Sequence, residues 1–313
     1  MKQKLSRILK FYLIPFWRDP ELSMKEYEIG RIKSKRKMFT RFLNPLTIIG
    51  FLLIFFVGVL AVYPQWITEW TLDALTSAAG WGVPWQLPTP EHPLGTTKNG
   101  YDILARLIWG ARSALTIGMQ SNIIAIIGGV VLGLVSAYFG GLIDQIIMRS
   151  FDVIMALPGF ILALLIVSML GSSLRYLLMA YGIIGIPGYA RFLRSSVFYV
   201  KQNVYIEAAK TSGSNNFKIM FKHILPNAIT PILISFSFSV GGAILGVASL
   251  SFLGFGDEAI CDWGTDINWA MARLMSKPWI SLWPGFLIAI TVFGFLAIGD
   301  GIRDAMDPKY KKK

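Results

Sequence analysis

Long apolar runs alternate with short polar connections along most of this chain. Six of them approach the roughly twenty residues that a helix needs to cross the hydrocarbon core of a bilayer: 43–63, 113–139, 151–170, 176–198, 228–250 and 282–299. The pattern predicts an all-α polytopic membrane protein with six transmembrane helices. Around them fall a basic N-terminal segment, 1–42, and a long connection, 64–112, between the first two spans. A core, 113–300, holds the other five spans and a polar connection at 201–227, and a basic tail, 301–313, follows. Within the first segment Leu5, Ile8, Leu9, Tyr12 and Leu13 recur at helical spacing with Lys4, Arg7 and Lys10 between them. A cleavable signal peptide needs a continuous apolar stretch and a small-residue cleavage site. An interfacial helix on the inner leaflet is therefore expected here, with a solvated basic tail as the alternative.

Composition agrees with a membrane protein: 54% of residues are hydrophobic and only 15% charged, against roughly 25% charged in soluble domains. Charge then sets an orientation. Of the 30 Lys and Arg residues, 24 fall before Phe42, at Arg149, between Arg191 and Lys222, or from Arg303 onward. The other six are Lys98, Arg106, Arg112, Arg175, Arg273 and Lys277. Basic residues are retained on the cytoplasmic side, so both termini and the 201–227 connection are expected inside. The net charge of +12 thus has a membrane explanation, and no nucleic-acid partner is needed to account for it.

The expected outer connection carries Trp66, Trp70, Trp81 and Trp85, aromatics that suit a membrane–water boundary. His92 lies on this side and His223 on the other, and one histidine per side builds no usual zinc site, so no metal is expected. Cys261, the single cysteine, falls in an outer loop, forms no intrachain disulfide, and is expected to be open to thiol reagents. A phosphate-cradling loop needs Gly-x-x-x-x-Gly-Lys-Ser/Thr. The nearest stretch, Gly213 to Lys218, lacks the second Gly and the hydroxyl, so no catalytic residue and no ATPase site of its own is expected.

Charges close to the spans have inexpensive explanations: Asp152 is expected to pair with Arg149, and Asp300 with Arg303, each at i,i+3. No acidic residue sits mid-span, which argues against a proton- or sodium-driven carrier. Gly129 with Gly133, and Gly242 with Gly246, have the spacing that lets helices approach in lipid. Ser235, Ser237, Ser239 and Ser249 give the fifth span a polar stripe; Ser235, Ser239 and Ser249 are candidates for a translocation path.

Glu207-Ala208-Ala209, Gly213 and His223-Ile224-Leu225-Pro226 lie in the polar connection between the fourth and fifth spans. The alanines favour a helix and leave room for a partner surface to approach its backbone. Gly213 can take the left-handed conformation that closes a helix, and Ser214, Asn215 and Asn216 can cap a new one. Pro226 is expected to end the second short helix. The stretch resembles the cytoplasmic coupling loop of ABC importer permeases, which reads Glu-Ala-Ala, three residues, Gly, nine residues, then Ile-x-Leu-Pro. His223 stands in the Ile place, as in the dipeptide and oligopeptide branch, where Asn227 completes His-x-Leu-Pro-Asn. Segments 92–102, 106–113, 140–144, 148–152, 157–159, 251–256, 278–285, 299–304 and 307–308 carry the same resemblance in family order, so that it covers roughly residue 90 to 310.

The resemblance is to the second, shorter permease of dipeptide, oligopeptide and nickel importers. It implies a transport subunit in a prokaryotic cell (inner) membrane that forms half of a translocation pathway beside a sister permease. One or two separate ATPase subunits would bind ATP and Mg and dock on Glu207, Ala208, Ala209, Gly213, Leu225 and Pro226. An extracytoplasmic substrate-binding protein would rest on 70–112 and 257–277. Dipeptides or oligopeptides are the expected cargo, with oligosaccharides or nickel chelates as alternatives. From a different class, an ATPase-independent channel or secondary carrier would transport alone, and a membrane enzyme would need convergent catalytic groups that the sequence does not show.

Overall fold

The computed structural model describes residues 44–77 and 82–306. The expected interfacial helix, Trp81 and the last residues of the basic tail lie outside the described residues. The main helices in chain order are α1 (Pro45–Val62), α2 (Ile103–Phe139), α3 (Gly141–Met155), α4 (Gly159–Leu170), α5 (Leu174–Lys201), α6 (Val204–Thr211), α7 (Thr230–Leu250), α8 (Trp263–Ala270) and α9 (Trp279–Met306). Among the described residues there is no strand, only an isolated antiparallel bridge between Thr96 and Asp102. Among the described residues five helices, α1, α2, α5, α7 with its extension to Phe255, and α9, are long and apolar enough to cross a membrane. A sixth crossing requires α3 and α4 together.

The third span is therefore not the continuous helix expected at 151–170: α3 and α4 meet at a bend of 81°. Pro158 has no N–H to continue the ladder, and its ring pushes the residue before it out of helical geometry. The helix restarts at Gly159.

α2 begins ten residues earlier than the expected 113 because its charged first turns are satisfied by protein. Asp102 caps it, accepting from the Ala105 N–H at 2.6 Å. Arg106 Nε donates to Asp266 at 2.6 Å, and Arg112 Nε to the Ala61 carbonyl at 2.9 Å, so neither charge has to stop the helix. At the other end of the chain α9 runs to Met306, past the expected boundary at 300, and Asp300 and Arg303 form no ion pair with each other. Asp152 does lie 3.7 Å from Arg149, but its closer partner is Arg191 of α5, at 2.6 Å. The two helices α3 and α5 are thus joined through a residue far away in sequence.

The centre of the bundle is the seam between α2 and α5. Ala190 backbone lies directly over Gly133, where a Cβ would stand 2.5 Å from the Ala190 carbonyl oxygen, and Gly129 leaves the same clearance for the Tyr189 Cβ. Backbones approach this closely in lipid because packing, rather than apolar transfer, drives helices together. The expected pair on α7 behaves differently: Gly246 faces the Tyr181 ring, while a Cβ on Gly242 would meet nothing within 4 Å.

At one end of the bundle, residues 68–77, 82–102 and 256–278 fold over the start of α2 as a cap with its own small core: Leu75, Tyr101, Ala105, Trp109, Cys261 and Trp269. Trp70 packs against that core and stacks on His92, and Trp85 packs on the main cluster, each half-buried. Trp66, 81% exposed at the end of α1, is free to serve as the expected boundary aromatic. His92 is buried and bonded to Asp102 at 3.0 Å. The opposite end of the bundle carries residues 201–229.

Replacing Gly133 by Val inserts three carbons where none fits, which costs at least the 1–3 kcal/mol typical of overpacking. The detergent-solubilised Gly133→Val protein should unfold at a lower temperature than wild type and give less folded material, whereas Gly58→Ala, at a position where a Cβ meets nothing within 4 Å, should not. Equal melting of the three proteins would show that the seam is not the stabilising contact.

Candidate coupling hairpin and translocation groove

α6 starts at Asn203 and has Glu207 in its first turn and Lys210 in its last, the arrangement that the helix dipole favours. Its one fully buried side chain is Ile206, which joins Ile219, Met220 and Ile224 of the following segment in a cluster with Leu134 and Ala137 of α2 and Leu193, Val197 and Val200 of α5. With Ile206 pointing in, Glu207 and Ala208 are exposed and Ala209 is half-buried.

Gly213 ends the helix as expected, at φ +77. Its N–H donates to the Lys210 carbonyl at 3.0 Å and the Ser214 N–H to the Ala209 carbonyl at 3.1 Å. This pair of crossed bonds satisfies carbonyls that the helix end would leave bare, and it needs a left-handed residue between them. Asn215 then caps the next turn through Oδ1, which accepts from the Lys218 N–H at 2.8 Å.

Pro226 does not end the second short helix. The chain runs in a wide π-helical turn over Ile219–Ile224, and Pro226 falls in the first turn of the piece after it, Leu225–Ala228, where its missing N–H is harmless. Leu225 is half-buried and Pro226 exposed. The hairpin thus presents an exposed face of Val204, Tyr205, Glu207, Ala208, Phe217 and Phe221, with Phe217 69% exposed and its ring 4.5 Å from that of Phe221. The sequence signals this pair only as two aromatics, Phe217 and Phe221, at i,i+4 inside an otherwise polar connection.

Polar bonds seat the hairpin on the bundle. Tyr138 Oη donates to Asn216 Oδ1 at 2.8 Å, and Lys201 Nζ donates to the Ala137 and Tyr138 carbonyls at 3.3 and 2.7 Å. Beside it, Arg194 of α5 grips Asp144 of α3 through two bonds of 2.7 and 2.6 Å, and Ser136 of α2 donates to the same carboxylate, so these bonds join the three helices rather than the hairpin. Apart from Ser136 and Asp144, eight residues apart, these partners are distant in sequence, and periodicity gives no access to them.

Between α2, α5 and α7 lies an open groove of about 330 Å³, lined by Ser121, Asn122, Tyr181, Tyr189, Ser235, Ser239 and Gly242 among others, all uncharged. Tyr189 Oη donates to Asn122 Oδ1 at 3.1 Å, and Asn122 Nδ2 to the Gly118 carbonyl at 2.9 Å. Ser235 and Ser239 therefore reach a common wall. Ser249 does not line it and instead donates to the Leu245 carbonyl, and Ser237 is buried beside Gly299.

Apolar helices long enough to cross a bilayer, a groove open on one flank, a folded cap at one end and an exposed hairpin at the other are the architecture of a polytopic membrane protein. The chain belongs to the family of binding-protein-dependent transport system inner membrane components, matched over residues 129–312, and is a permease subunit of an ABC importer. It is 39% identical to the dipeptide transport system permease protein DppC of Alkalihalophilus pseudofirmus over 86% of this chain and 87% of that one. It is 39% identical to the glutathione transport system permease protein GsiD of Pectobacterium atrosepticum over 72% and 75% of the two chains, and 33% identical to DppC of Haemophilus influenzae over 86% and 92%. Its fold is similar to that of a chain in inward-facing structures of the MetNI methionine ABC transporter, with TM-score 0.55, 15% identity, and coverage of 66% of this chain and 98% of that one.

The expectation that Cys261 is open to reagents is overturned: it is 0% exposed, in the core of the cap. Burial pushes its thiol up to about 12, against the opposing pull of the Arg106 guanidinium. Since the thiolate is the reactive form, essentially none is present at neutral pH. A maleimide at pH 7 should leave the folded protein unmodified and label it stoichiometrically after denaturation in SDS; rapid labelling of the folded protein would mean that the cap core opens.

Proposed function

We propose that this chain forms half of the translocation pathway of an importer for dipeptides or short oligopeptides, beside a distinct sister permease. Separate ATPase subunits, which bind ATP and Mg, dock on the hairpin face around Glu207, Ala208 and Ala209, shaped by Gly213 and completed by Leu225 and Pro226. An extracytoplasmic binding protein delivers cargo to the cap. The hairpin and both termini then lie in the cytoplasm.

The observation that carries this reading is the hairpin: a short helix anchored by Ile206, closed by left-handed Gly213 and exposed along a face of small and aromatic side chains. Small residues admit a partner close to the helix backbone, and the aromatic side chains supply contact area once covered. The charge distribution supports the orientation. Among the described residues, Lys98, Arg106, Arg112, Arg175, Arg273 and Lys277 belong to the cap and the helix ends beside it, whereas Arg191, Arg194, Lys201, Lys210, Lys218 and Lys222 lie towards or on the hairpin. The open groove supports a second permease half, since a pathway lined on one flank only by Asn122, Tyr189, Ser235 and Ser239 would be exposed to lipid on the other. The peptide cargo rests on the similarity to dipeptide and glutathione permeases. Movement of the docked ATPases would shift the hairpin as a rigid body and rock the helices about the groove, alternating the side to which it opens.

A side chain at Gly213 would meet nothing within 4 Å, so substitution there strains only the backbone, by about 1–2 kcal/mol and more for a β-branched residue. In the assembled complex Gly213→Val and Glu207→Ala should reach the membrane at near-normal levels, lose substrate-stimulated ATP hydrolysis, and leave ligand binding by the external protein intact. Wild-type transport of a labelled tripeptide by Gly213→Val at wild-type abundance would remove the coupling assignment. A reporter fused after Lys313 should behave as cytoplasmic; an external one would reverse the orientation.

A further inference from the structure

α2 is 37 residues long without an interior proline, about 55 Å at the usual helical rise, far more than the hydrocarbon core requires. Both of its ends are fixed to the parts of the molecule that meet partners. At the cap end Arg106 is bonded to Asp266 and to the Leu75 carbonyl, and the Trp263 indole donates to the Leu107 carbonyl at 2.9 Å. At the hairpin end the Lys201 ammonium holds the carbonyls of Ala137 and Tyr138, and the Tyr138 hydroxyl reaches Asn216.

The covalent exit of the hairpin offers no comparable stiffness. Between Asn216 and α7 the chain passes through the π-helical turn Ile219–Ile224, then Pro226, then Pro231 in the first turn of α7. The π-helical turn departs from the α-helical ladder, and each proline stands in the first turn of a separate helical piece, so no single continuous ladder runs along this route. The side-chain bonds to the foot of α2, by contrast, meet one unbroken helix.

We propose that Tyr138 and Lys201 are positioning residues that seat the hairpin on the foot of α2, so that its displacement is carried by α2 to the cap, where the external protein docks. The inference rests on the assignment of the hairpin as the ATPase dock. In it, the Tyr138 Oη to Asn216 Oδ1 bond is the joint, and Lys201, bridging the ends of α5 and α2, keeps that joint in register.

The test uses the complete reconstituted transporter with its binding protein and a labelled tripeptide, and reads ATP hydrolysis with and without loaded binding protein together with tripeptide moved per ATP. Tyr138→Phe removes one oxygen and no packing. It should keep basal hydrolysis and assembly, lower stimulation by the loaded binding protein about fivefold, and reduce tripeptide per ATP to a similar degree. Asn216→Asp, which retains the acceptor, should couple as wild type, and Asn216→Leu should behave as Tyr138→Phe. Lys201→Arg should be tolerated better than Lys201→Met. Wild-type coupling in Tyr138→Phe, or equal loss in Asn216→Asp and Asn216→Leu, would overturn the proposal while leaving the docking assignment in place. Should Gly213→Val also couple as wild type, the docking assignment itself falls.

Discussion

The close approach of α2 and α5 is the constraint on which the rest of the molecule depends. In a bilayer there is no apolar transfer energy to gain by bringing two apolar helices together, so contact must come from surfaces that fit. Gly129 and Gly133 let α2 lie directly against Tyr189 and Ala190, and Gly182 and Gly185 repeat the arrangement against Ile124 and Ala125. Once those two helices are fixed, Asn122 and Tyr189 come within hydrogen-bonding distance on one wall of the groove. Asp144 and Arg194 are brought together near one end by the same register.

The charged groups occupy the places where a lipid-embedded bundle can tolerate them. Arg106 is 0% exposed, yet its partner Asp266 and the Leu75 carbonyl lie at bonding distance inside the cap, with Trp269 stacked over the guanidinium at 4.6 Å. Removing one member of such a pair leaves the other buried without compensation, typically at a cost of about 3–5 kcal/mol. The pair therefore fixes where the cap sits on α2, whether or not it adds net stability. Arg194 with Asp144, and the more exposed pair Arg191 with Asp152, tie α3, a helix that is otherwise largely exposed, to α5. The groove wall, by contrast, carries only neutral polar groups, most already bonded within the protein.

The hairpin combines stiffness and compliance. Ile206 and the crossed bonds around Gly213 make α6 a rigid unit, while its exit toward α7 passes through irregular helix and two prolines. The same contrast appears at the far end of α7, where Ser251–Phe255 departs from α geometry and Gly254 sits at φ +96. α7, which carries Ser235 and Ser239, is bounded by irregular backbone on both sides.

How much of this was legible in the sequence follows from the range of the forces involved. Apolar content over twenty residues depends on no neighbour, so the membrane class and five of the spans could be read directly. The conformation of Gly213 and the cap at Asn215 are local as well, settled by residues three or four positions away. The start of α2 could not be read, because Arg106 and Arg112 look like the end of a span until Asp266 and the Ala61 carbonyl are seen beside them. The break between α3 and α4 was written in Pro158, but the same residue also fits a kink within one span, and only packing chose the 81° bend. Cys261 looked accessible because loops usually are; the cap core that buries it is assembled from residues as distant as Leu75 and Trp269. The sequence by itself determined which segments must leave water and where the chain can turn, since those depend on composition and on single residues. Tertiary structure alone decided which charges are paired, which serines face the groove and which residues carry the hairpin, because each depends on side chains that only the folded bundle brings within a few ångströms.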